Sequence, residues 1–199
     1  MNKAITLAMT GASGAAYGLR LLEQLILAQR QVYFLISEPA RLVLDLEMGI
    51  KLPAQPTAIQ EILSKRYQAK TEQLQVFGSK QWMAPIASGS SVPQAMVVCP
   101  CTSSTLATIA NGLSQNLLER AADVILKERR KLILVHRETP LSVIHLENML
   151  RLTNMGTLIL PANPGFYNNP QTIDDIIDFI VARICDHLGV KHNLSKRWG

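Results

Sequence analysis

Short apolar runs alternate along this chain with longer segments in which apolar residues recur at helical spacing. Six of these runs predict β-strands, at residues 4–9, 32–36, 74–77, 95–99, 132–135 and 157–160. Because Val, Ile and Leu fill consecutive positions in the runs, both faces of each strand are expected to be covered, as in a parallel sheet. The alternation therefore predicts an open, doubly wound α/β sheet with helices on both faces. The length of 199 residues predicts a single domain.

Two of the helical segments have termini that can be read from the sequence. Thr139 followed by Pro140 predicts an N-cap and a first helical position, and Gly156 predicts the end of that helix. Thr172 predicts the N-cap of the last helix. That helix carries one apolar stripe, which consists of Ile173, Ile176, Ile177, Ile180, Ile184 and Leu188.

The composition excludes several classes of protein. Hydrophobic residues make up 48% of the chain and charged residues 18%, which argues against a disordered chain or a coiled coil. No apolar run approaches the roughly 20 residues that a membrane-spanning helix needs, and the first residues lack the apolar segment of a signal peptide. The three cysteines are accordingly expected to be reduced thiols. We therefore expect a soluble, cytoplasmic protein.

The charge balance is basic, with 20 Lys and Arg against 15 Asp and Glu. Such a balance suits nucleic acid or a small anionic substrate. The densest basic run, at 127–131, falls at the end of a predicted helix, where cations complement the helix dipole. Aromatic residues are 5% of the chain and do not interleave with basic ones, so a small anion such as a phosphate ester is favoured over nucleic acid.

Glycine, hydroxyl-bearing and charged residues collect directly after the predicted strands. The segments concerned are 10–14, 37–39, 99–105, 136–139 and 161–167. In an open α/β sheet, ligands bind outside the carboxyl ends of the strands. We therefore expect the functional site at this edge of the sheet.

Two of these segments favour a ligand that carries a phosphate group. Gly11, Gly14 and Gly18 open a helix with the spacing G-x-x-G-x-x-x-G, which indicates either a phosphate site or a tight turn and matches neither a dinucleotide nor a Walker A motif. The segment 102–105 offers four hydroxyl groups at a second helix start, where an ordinary N-cap is the alternative. Two such loops at one edge favour the phosphate interpretation.

A cation and a carboxylate follow the fifth predicted strand. Arg137 suits a phosphate or carbonyl group, and Glu138 could exchange protons if burial raises the pKa of its carboxyl group. A surface ion pair at a helix start explains the two residues equally well. For Glu47, near the end of an amphipathic segment, a solvated carboxylate is the default expectation.

Two patterns resemble metal sites but have better explanations. Asp174, Asp175 and Asp178 spell the D-D-x-x-D motif of isoprenoid synthases, where it occurs in pairs within an all-helical fold. Here we expect the three acids to complement the dipole at the start of the last helix. Cys99 and Cys101 have the wrong spacing for a metal pair and are expected to be buried thiols. No metal is expected.

Several segments, in order along the chain, resemble the UbiX family of flavin prenyltransferases. The resemblance extends from Lys3 to about Trp198 and is carried by residues 10–14, 99–112, 116–123, 137–149 and 161–167. It implies a Rossmann-like (flavodoxin-like) fold that binds oxidised or reduced FMN at the sheet edge. Such an enzyme, without a metal, joins the dimethylallyl group of dimethylallyl monophosphate, or diphosphate in some members, to N5 and then C6 of the flavin.

The resemblance also implies partners for the protein. The product, prenylated FMN, serves as the cofactor of a UbiD-type decarboxylase, in ubiquinone biosynthesis or in aromatic acid breakdown. Family members assemble into homododecamers that hold the flavin at subunit interfaces.

By position, the resemblance implies roles for individual residues. FMN contacts are expected at Gly11, Ala12, Ser13, Ser37, Thr102, Ser103, Ser104, Thr105 and Arg137. Prenyl-phosphate contacts are expected at Tyr167 and Arg183, with Lys127 and Arg120 as further cations. The expected catalytic residues are Glu138, Glu47 and Ser13, with Glu138 as acceptor of the proton that leaves C6. Trp82 is expected beside the prenyl group, and Trp198 in a C-terminal tail, residues 189–199, that closes over the site.

Two other functions are weighed against the prenyltransferase. Flavin-dependent cysteine decarboxylases resemble this chain in fold, but they carry P-A-S-A-N-T in place of residues 100–105 and P-x-M-N-x-x-M-W in place of 161–167. A non-catalytic FMN carrier would explain the FMN loops but would leave Lys127, Tyr167 and Arg183 without a role. Both alternatives fit the sequence less well than a prenyltransferase.

Overall fold

The six apolar runs form one parallel sheet. In the computed structural model, which describes residues 4–195, its strands are β1 (Ile5–Met9), β2 (Val32–Ile36), β3 (Leu74–Phe77), β4 (Ala95–Cys101), β5 (Lys131–His136) and β6 (Leu158–Ile159). Their order across the sheet is β3-β2-β1-β4-β5-β6, and every neighbouring pair is parallel. The prediction of a single α/β domain with an open, Rossmann-like sheet is confirmed.

Helices follow the strands and cover both faces of the sheet. Over the described residues they are α1 (Ala15–Leu27), α2 (Glu38–Met48), α3 (Pro56–Tyr67), α4 (Ser103–Ala110), α5 (Leu117–Lys127), α6 (Val143–Asn154) and α7 (Ile173–Leu188). Two short 3-10 turns, Pro85–Ala87 and Gly89–Ser91, lie between β3 and β4.

The side chains of each strand alternate between two hydrophobic cores, because successive residues of a strand point to opposite faces. On one face, Leu7 and Val97 pack with α1, α2, α3 and α7. On the other face, Ala8 and Val98 pack with α4, α5 and α6. Helices α5 and α7 therefore lie on opposite sides of the sheet, which decides where their charged residues can act.

The sheet grows in two directions from its centre. From β1 the chain adds β2 and then β3 on one side, and it returns to place β4, β5 and β6 on the other. The connections leave a crevice above the carboxyl ends of β1 and β4, which is where open α/β sheets bind ligands. Strand β4 ends two residues later than predicted, since its pairing with β5 resumes at Cys101 and His136 after an irregularity that follows Val98.

The predicted helix ends are confirmed in part. Thr172 caps α7 by accepting a hydrogen bond from the amide of Asp175, and Gly156 follows α6 with a φ of 89°. The prediction of Thr139 and Pro140 as the start of α6 is wrong. The N-cap is Ser142, whose hydroxyl accepts from the amide of His145 while the His145 ring accepts from the amide of Ser142. This reciprocal pair satisfies two amide groups at once.

The apolar stripe of α7 is buried along most of its length. Ile180, Ile184 and Leu188 belong to the core, and Ile177 packs against it. Ile173, in the first turn, is exposed instead. Among residues 4–195, no helix combines the length and apolar character that crossing a membrane requires.

Candidate functional site

A cleft of about 470 Å³ opens at the carboxyl ends of β1 to β4. This volume lies within the range of about 300–1,000 Å³ that is usual for small-molecule sites. The lining residues that bear on its chemistry are Thr10, Gly11, Leu35, Ser37, Arg41, Ile59, Phe77, Thr102, Ser104 and Thr105. Hydroxyl and glycine residues from the predicted segments form one part of the lining, and aliphatic and aromatic side chains form another.

Two helices begin at this cleft. Ser37 caps α2 by accepting a hydrogen bond of 3.2 Å from the amide of Ala40. Thr102 caps α4 by accepting one of 3.1 Å from the amide of Thr105. The positive ends of two helix dipoles thus face the same space as the hydroxyl groups, which is an arrangement that favours a phosphate.

A buried hydroxyl group joins the loops after β1 and β4. Thr10 Oγ1 donates a hydrogen bond of 2.9 Å to the carbonyl oxygen of Pro100, and it accepts one of 2.9 Å from the amide of Thr102. Gly11, the next residue, lies so close to α2 that a Cβ atom there would stand 2.5 Å from Pro39 Cβ. The loop can therefore approach α2 only with glycine at this position.

The start of α1 does not open onto the cleft in the way the glycine pattern suggested. The carboxylate of Glu47, at the end of α2, accepts hydrogen bonds of 3.0 Å from the amide of Gly14 and 2.9 Å from that of Ala15. These amides are therefore occupied by a side chain, and the default expectation of a merely solvated Glu47 is wrong. Ala12 is buried and Ser13 is exposed, and neither lines this cleft.

The residues of the α4 start point in two directions. Thr102, Ser104 and Thr105 line the cleft. Ser103 turns towards β5, where its hydroxyl lies 3.0 Å from His136 Nε2 and donates a hydrogen bond of 2.9 Å to Glu138 Oε2. Glu138 consequently lies beside the cleft of its own chain and not among the lining residues.

The pKa of the Glu138 carboxyl group lies below its ordinary value. The hydrogen bond from Ser103 lowers the pKa of this carboxyl group, with smaller contributions from the Thr139 amide, Arg137 and His145. The condition under which Glu138 was expected to exchange protons, a pKa raised by burial, is therefore not met. An ionised carboxylate cannot donate a proton at neutral pH, but it is ready to accept one.

Arg137 lies next to this carboxylate and is half-buried. Its amide is 3.4 Å from the carbonyl oxygen of Cys101, which ties the loop after β5 to the end of β4. Its Nε atom is buried and has no hydrogen-bond partner among the described residues. A buried guanidinium nitrogen without a partner is costly, so this atom is suited to an anionic ligand.

The four residues expected at the prenyl phosphate fall into two groups. Arg120 and Lys127 lie on α5, where Arg120 contacts the carbonyl oxygen of Ala87 and Lys127 pairs with Glu128. The other two residues belong to the α7 side. The Tyr167 ring packs edge-on against Phe179, and Arg183 pairs with Asp186 at 3.1 Å.

Because α5 and α7 cover opposite faces of the sheet, one chain does not bring these two groups together. Trp82, after β3, is an exposed aromatic residue. Trp198 lies outside the described residues.

The acids of the D-D-x-x-D pattern, among the described residues, are not arranged as metal ligands. Asp178 pairs with Arg20 at 2.7 Å, and Asp175 accepts hydrogen bonds from the amides of Gln171 and Thr172 at the start of α7. Over residues 4–195, no group of His, Cys, Asp and Glu is arranged to hold a metal ion.

Cys99 and Cys101, near the end of β4, are buried, as expected. Burial raises the pKa of the Cys101 thiol to about 12 and that of the Cys99 thiol further. Both thiols are therefore protonated at neutral pH and act as small apolar side chains.

One residue at the site was not anticipated from the sequence, and a second was expected at this edge of the sheet but was given no role. Arg41 brings a cation to the cleft from the second turn of α2, where the S-x-x-x-R spacing from the cap Ser37 could have indicated it. His136, the last residue of β5, is buried and contacts Ser103. Only the pairing of β4 with β5 brings these two side chains together, so no local pattern could have shown the contact.

Comparison with known proteins gives one consistent family. The model of the family described as Flavoprotein matches residues 1–185. The flavin prenyltransferase UbiX of Pseudomonas aeruginosa is 57% identical over 195 residues, which cover 98% of this chain and 93% of that protein. The flavin prenyltransferase UbiX of Alkalihalophilus pseudofirmus is 45% identical and is covered to 98% by the whole of this chain.

Solved structures agree with the sequence comparisons. AnUbiX (PadA1), solved in complex with FMN and dimethylallyl pyrophosphate, superimposes with a TM-score of 0.88 at 36% identity, over 100% of this chain and 98% of that one. A dodecameric FMN-dependent UbiX-like decarboxylase from Escherichia coli O157:H7 gives a TM-score of 0.87 at 38% identity, over 98% and 99% of the two chains. A PPC decarboxylase, at 15% identity and a TM-score of 0.60 over 82% and 84%, shares the fold.

Proposed function

Because the chain belongs to the UbiX family of flavin prenyltransferases, we propose that it transfers a dimethylallyl group from dimethylallyl phosphate to N5 and C6 of reduced FMN. The structural observation that carries this proposal is the cleft between β1 and β4. It combines two capped helix starts, several hydroxyl groups and an apolar wall. A flavin phosphate has matching parts, since its ring system is aromatic and its other end is anionic.

FMN fits the residues present at this cleft. Thr102, Ser104 and Thr105 offer hydroxyl and amide groups, and Arg41 offers a cation. Ser37 and Gly11 would lie along the opposite wall. When bound, reduced FMN supplies the nucleophilic N5 and C6 atoms of the reaction.

The remaining FMN contacts come from outside the cleft of the same chain. Ala12, Ser13, Ser103 and Arg137 would approach the flavin at the boundary between two copies. The unpartnered Nε atom of Arg137 supports this arrangement.

The prenyl phosphate would be bound between two copies of the chain. Tyr167 and Arg183 would come from one copy, and Arg120 and Lys127 from the other, because the two pairs lie on opposite faces of one sheet. Cations and a phenol around a leaving phosphate stabilise the negative charge that develops on it. A homo-oligomer is thus a requirement of the site, and the dodecamer of the related E. coli protein supports one here.

The transfer forms two bonds. In the first, the C–O bond between C1 of the dimethylallyl group and the phosphate breaks as C1 bonds to N5, and the phosphate leaves with the bonding electrons towards the cations above and takes up the N5 proton. In the second, C2 of the prenyl group takes up a proton from the phosphate, its tertiary carbon bonds to C6, and C6 releases its proton. The aromatic face of Trp82 would stabilise positive charge on the allyl fragment. Glu138, ionised at neutral pH, would accept the proton that C6 releases.

Ser13 and Glu47 would support the reaction from the start of α1. Glu47 fixes the amides of Gly14 and Ala15 next to Ser13. The loop that would bring Ser13 to the flavin is therefore held in one conformation.

Further parts of the proposal concern the whole chain and its partner. The chain would act as one flavoprotein unit whose C-terminal tail, residues 189–199, closes over the bound prenyl group. Trp198 would lie in that tail. The product, prenylated FMN, would pass to a UbiD-type decarboxylase, in ubiquinone biosynthesis or in aromatic acid breakdown.

A binding titration separates the transferase from a carrier of FMN. Dimethylallyl monophosphate is added to the protein with oxidised FMN bound, and its binding is followed by calorimetry. A transferase binds the prenyl phosphate, and Arg183→Ala weakens that binding at least tenfold while FMN affinity is kept. A carrier shows no binding of the prenyl phosphate in either protein, and that result would contradict the proposal.

A further inference from the structure

His136 is an unusual residue to find at the end of the buried strand β5. It is 2% exposed, and its ring lies 6.1 Å from that of His145 on α6. Its Nε2 atom lies 3.0 Å from the hydroxyl of Ser103, the first residue of α4. None of the roles described above uses this imidazole.

The hydrogen bonds of Ser103 determine which nitrogen of His136 carries a proton. Ser103 has one hydroxyl proton and donates it to Glu138 Oε2 at 2.9 Å. The contact of 3.0 Å with His136 must therefore be made by a lone pair of the same hydroxyl oxygen. His136 thus donates from Nε2–H, and a neutral imidazole with its proton on Nε2 completes a directed line from His136 through Ser103 to Glu138.

The charged and titratable groups around His136 keep its ring neutral. Burial lowers the pKa of the imidazole, and His145 on α6 and Arg137 on the following loop act in the same direction, whereas Glu138 opposes them. His145 faces it with a ring-centre distance of 6.1 Å, and Cys101 pairs with it from β4. At neutral pH the ring is therefore a fixed donor and not a competing cation.

We infer that His136 is a positioning residue of the transferase, which acts through Ser103 to hold the Glu138 carboxylate in the orientation for proton acceptance. The inference rests on the proposed function, in which Glu138 receives the proton from C6. Among the described residues, His136 does not line the cleft, and its side chain contacts Ser103, so its effect on the reaction passes through the hydroxyl of Ser103. Without the donor on one side, the hydroxyl is free to rotate away from the carboxylate.

The physical reason is that a hydroxyl group between a donor and an anion is polarised by both. The Nε2–H group of His136 fixes the lone pair of Ser103 and aligns its proton with Glu138, and successive hydrogen bonds in such a line strengthen each other. This chain of hydrogen bonds from His136 through Ser103 holds Oε2 of Glu138 at a defined place beside the loop after β5. A loop residue without this support would sample several rotamers.

Two substitutions of His136 separate its hydrogen bond from its packing. His136→Gln keeps an N–H donor at the distance of Nε2, whereas His136→Leu keeps apolar bulk and removes the donor. The turnover rate of FMN prenylation is measured for both, for Ser103→Ala and for the double variant His136→Leu/Ser103→Ala. Melting temperatures and the KM values for FMN and dimethylallyl monophosphate are measured in parallel.

A positioning role predicts a specific pattern of rates. His136→Leu lowers kcat by about tenfold with nearly unchanged KM values, and His136→Gln recovers most of that loss. In the Ser103→Ala background, His136→Leu has no further effect, because the residue through which it acts is absent. If instead the losses of the two single variants multiply, or His136→Gln is as slow as His136→Leu, the inference is wrong.

A structural readout tests the inference without depending on the reaction. Crystal structures of the two variants are compared with that of the wild type. We expect Ser103 Oγ to stay within hydrogen-bonding distance of Glu138 in His136→Gln and to leave it in His136→Leu. An unchanged contact in His136→Leu contradicts the positioning role. By contrast, a wild-type protein that binds FMN but forms no prenylated flavin contradicts the proposed function, and the crystallographic comparison then still decides whether His136 holds Ser103 on Glu138.

Discussion

Thr10 and Thr102 are joined by a hydrogen bond of 2.9 Å, in which the hydroxyl of Thr10 accepts the amide proton of Thr102. The same hydroxyl donates to the carbonyl oxygen of Pro100. One buried side chain therefore connects the end of β1 with the cap of α4, at the point where the sheet changes its direction of growth. The two loops that this bond connects both line the cleft. The width of the cleft therefore depends on Thr10.

Replacing Thr10 by valine is expected to weaken FMN binding about tenfold. The substitution keeps the shape of the side chain, but it leaves the Thr102 amide without its partner, at a cost of about 1–3 kcal/mol. The Pro100 carbonyl keeps one donor, the Thr10 amide at 3.1 Å. Fluorescence titration with FMN measures the affinity, and Thr10→Ser, which keeps the hydroxyl, is the matched control. If Thr10→Val and the wild type bound FMN with equal affinity, the hydrogen bond between Thr10 and Thr102 would not determine the width of the cleft.

Glu47 is expected to contribute to folding stability as the cap of α1. Glu47→Ala removes the acceptor of the Gly14 and Ala15 amides and should lower the free energy of unfolding by about 1 kcal/mol. Glu47→Gln, which keeps one acceptor oxygen, should lose less. Urea unfolding measures both, with Glu61→Ala on the exposed face of α3 as a control for loss of a surface carboxylate. A loss for Glu47→Ala no greater than that of the control contradicts the capping role.

The pH dependence of turnover reports on Glu138. Its pKa in the folded protein lies below the ordinary value of 4.5, chiefly because Ser103 donates a hydrogen bond to it. The ionised form, and the stability that the bond contributes, are therefore present above pH 4.5 and are lost as the pH falls through the lowered pKa. The acid limb of the kcat profile is expected below pH 4.5 in the wild type and at higher pH in Ser103→Ala.

Ser104→Ala is the control for this experiment, because Ser104 lies next to Ser103 but faces the cleft. The acid limb of the kcat profile of Ser104→Ala should coincide with that of the wild type. An acid limb that stays in place in Ser103→Ala would mean that Glu138 is not the base, or that Ser103 does not set its pKa.

A site shared between copies predicts that two inactive variants can restore each other. Arg183→Ala and Lys127→Ala are each expected to lose nearly all activity. In oligomers reassembled from an equal mixture, about a quarter of the sites would combine an intact Arg183 from one copy with an intact Lys127 from another. The recovered rate should approach a quarter of the wild-type rate. A mixture that stays as inactive as its components would contradict the shared site.

The parts of the fold that were predicted correctly depend on local sequence. Strands buried on both faces leave consecutive apolar residues, so β2 was found with its observed ends. The edge strand β3, with the sequence Leu-Gln-Val-Phe, was also found with its ends although its burial alternates. Thr172 was identified as a cap because it directly precedes the apolar stripe of α7, and its partner Asp175 lies three residues further on. Thr139 was predicted as a cap because a proline follows it, and Ser142 was missed. The reciprocal partner of Ser142 is a histidine, where a glutamate or glutamine is usual.

The sequence predicted which residues lie at this edge of the sheet, but not which way their side chains point or which groups they contact. The hydroxyl groups of 102–105 and the carboxylate of Glu138 were expected at one sheet edge, and they lie there. That Ser103 turns away from its neighbours depends on the register of β4 against β5, which only the folded sheet defines. The contact between Glu47 and α1 likewise depends on how two helices pack.

The central claim is tested most directly by the product of the reaction. The protein is incubated anaerobically with reduced FMN and dimethylallyl monophosphate, and then with the diphosphate, and the released flavin is analysed by mass spectrometry. We predict a flavin that is heavier by one five-carbon unit, formed with at least one of the two donors and absent when the protein is omitted. Unchanged flavin with both donors, from protein that binds FMN, would contradict the account.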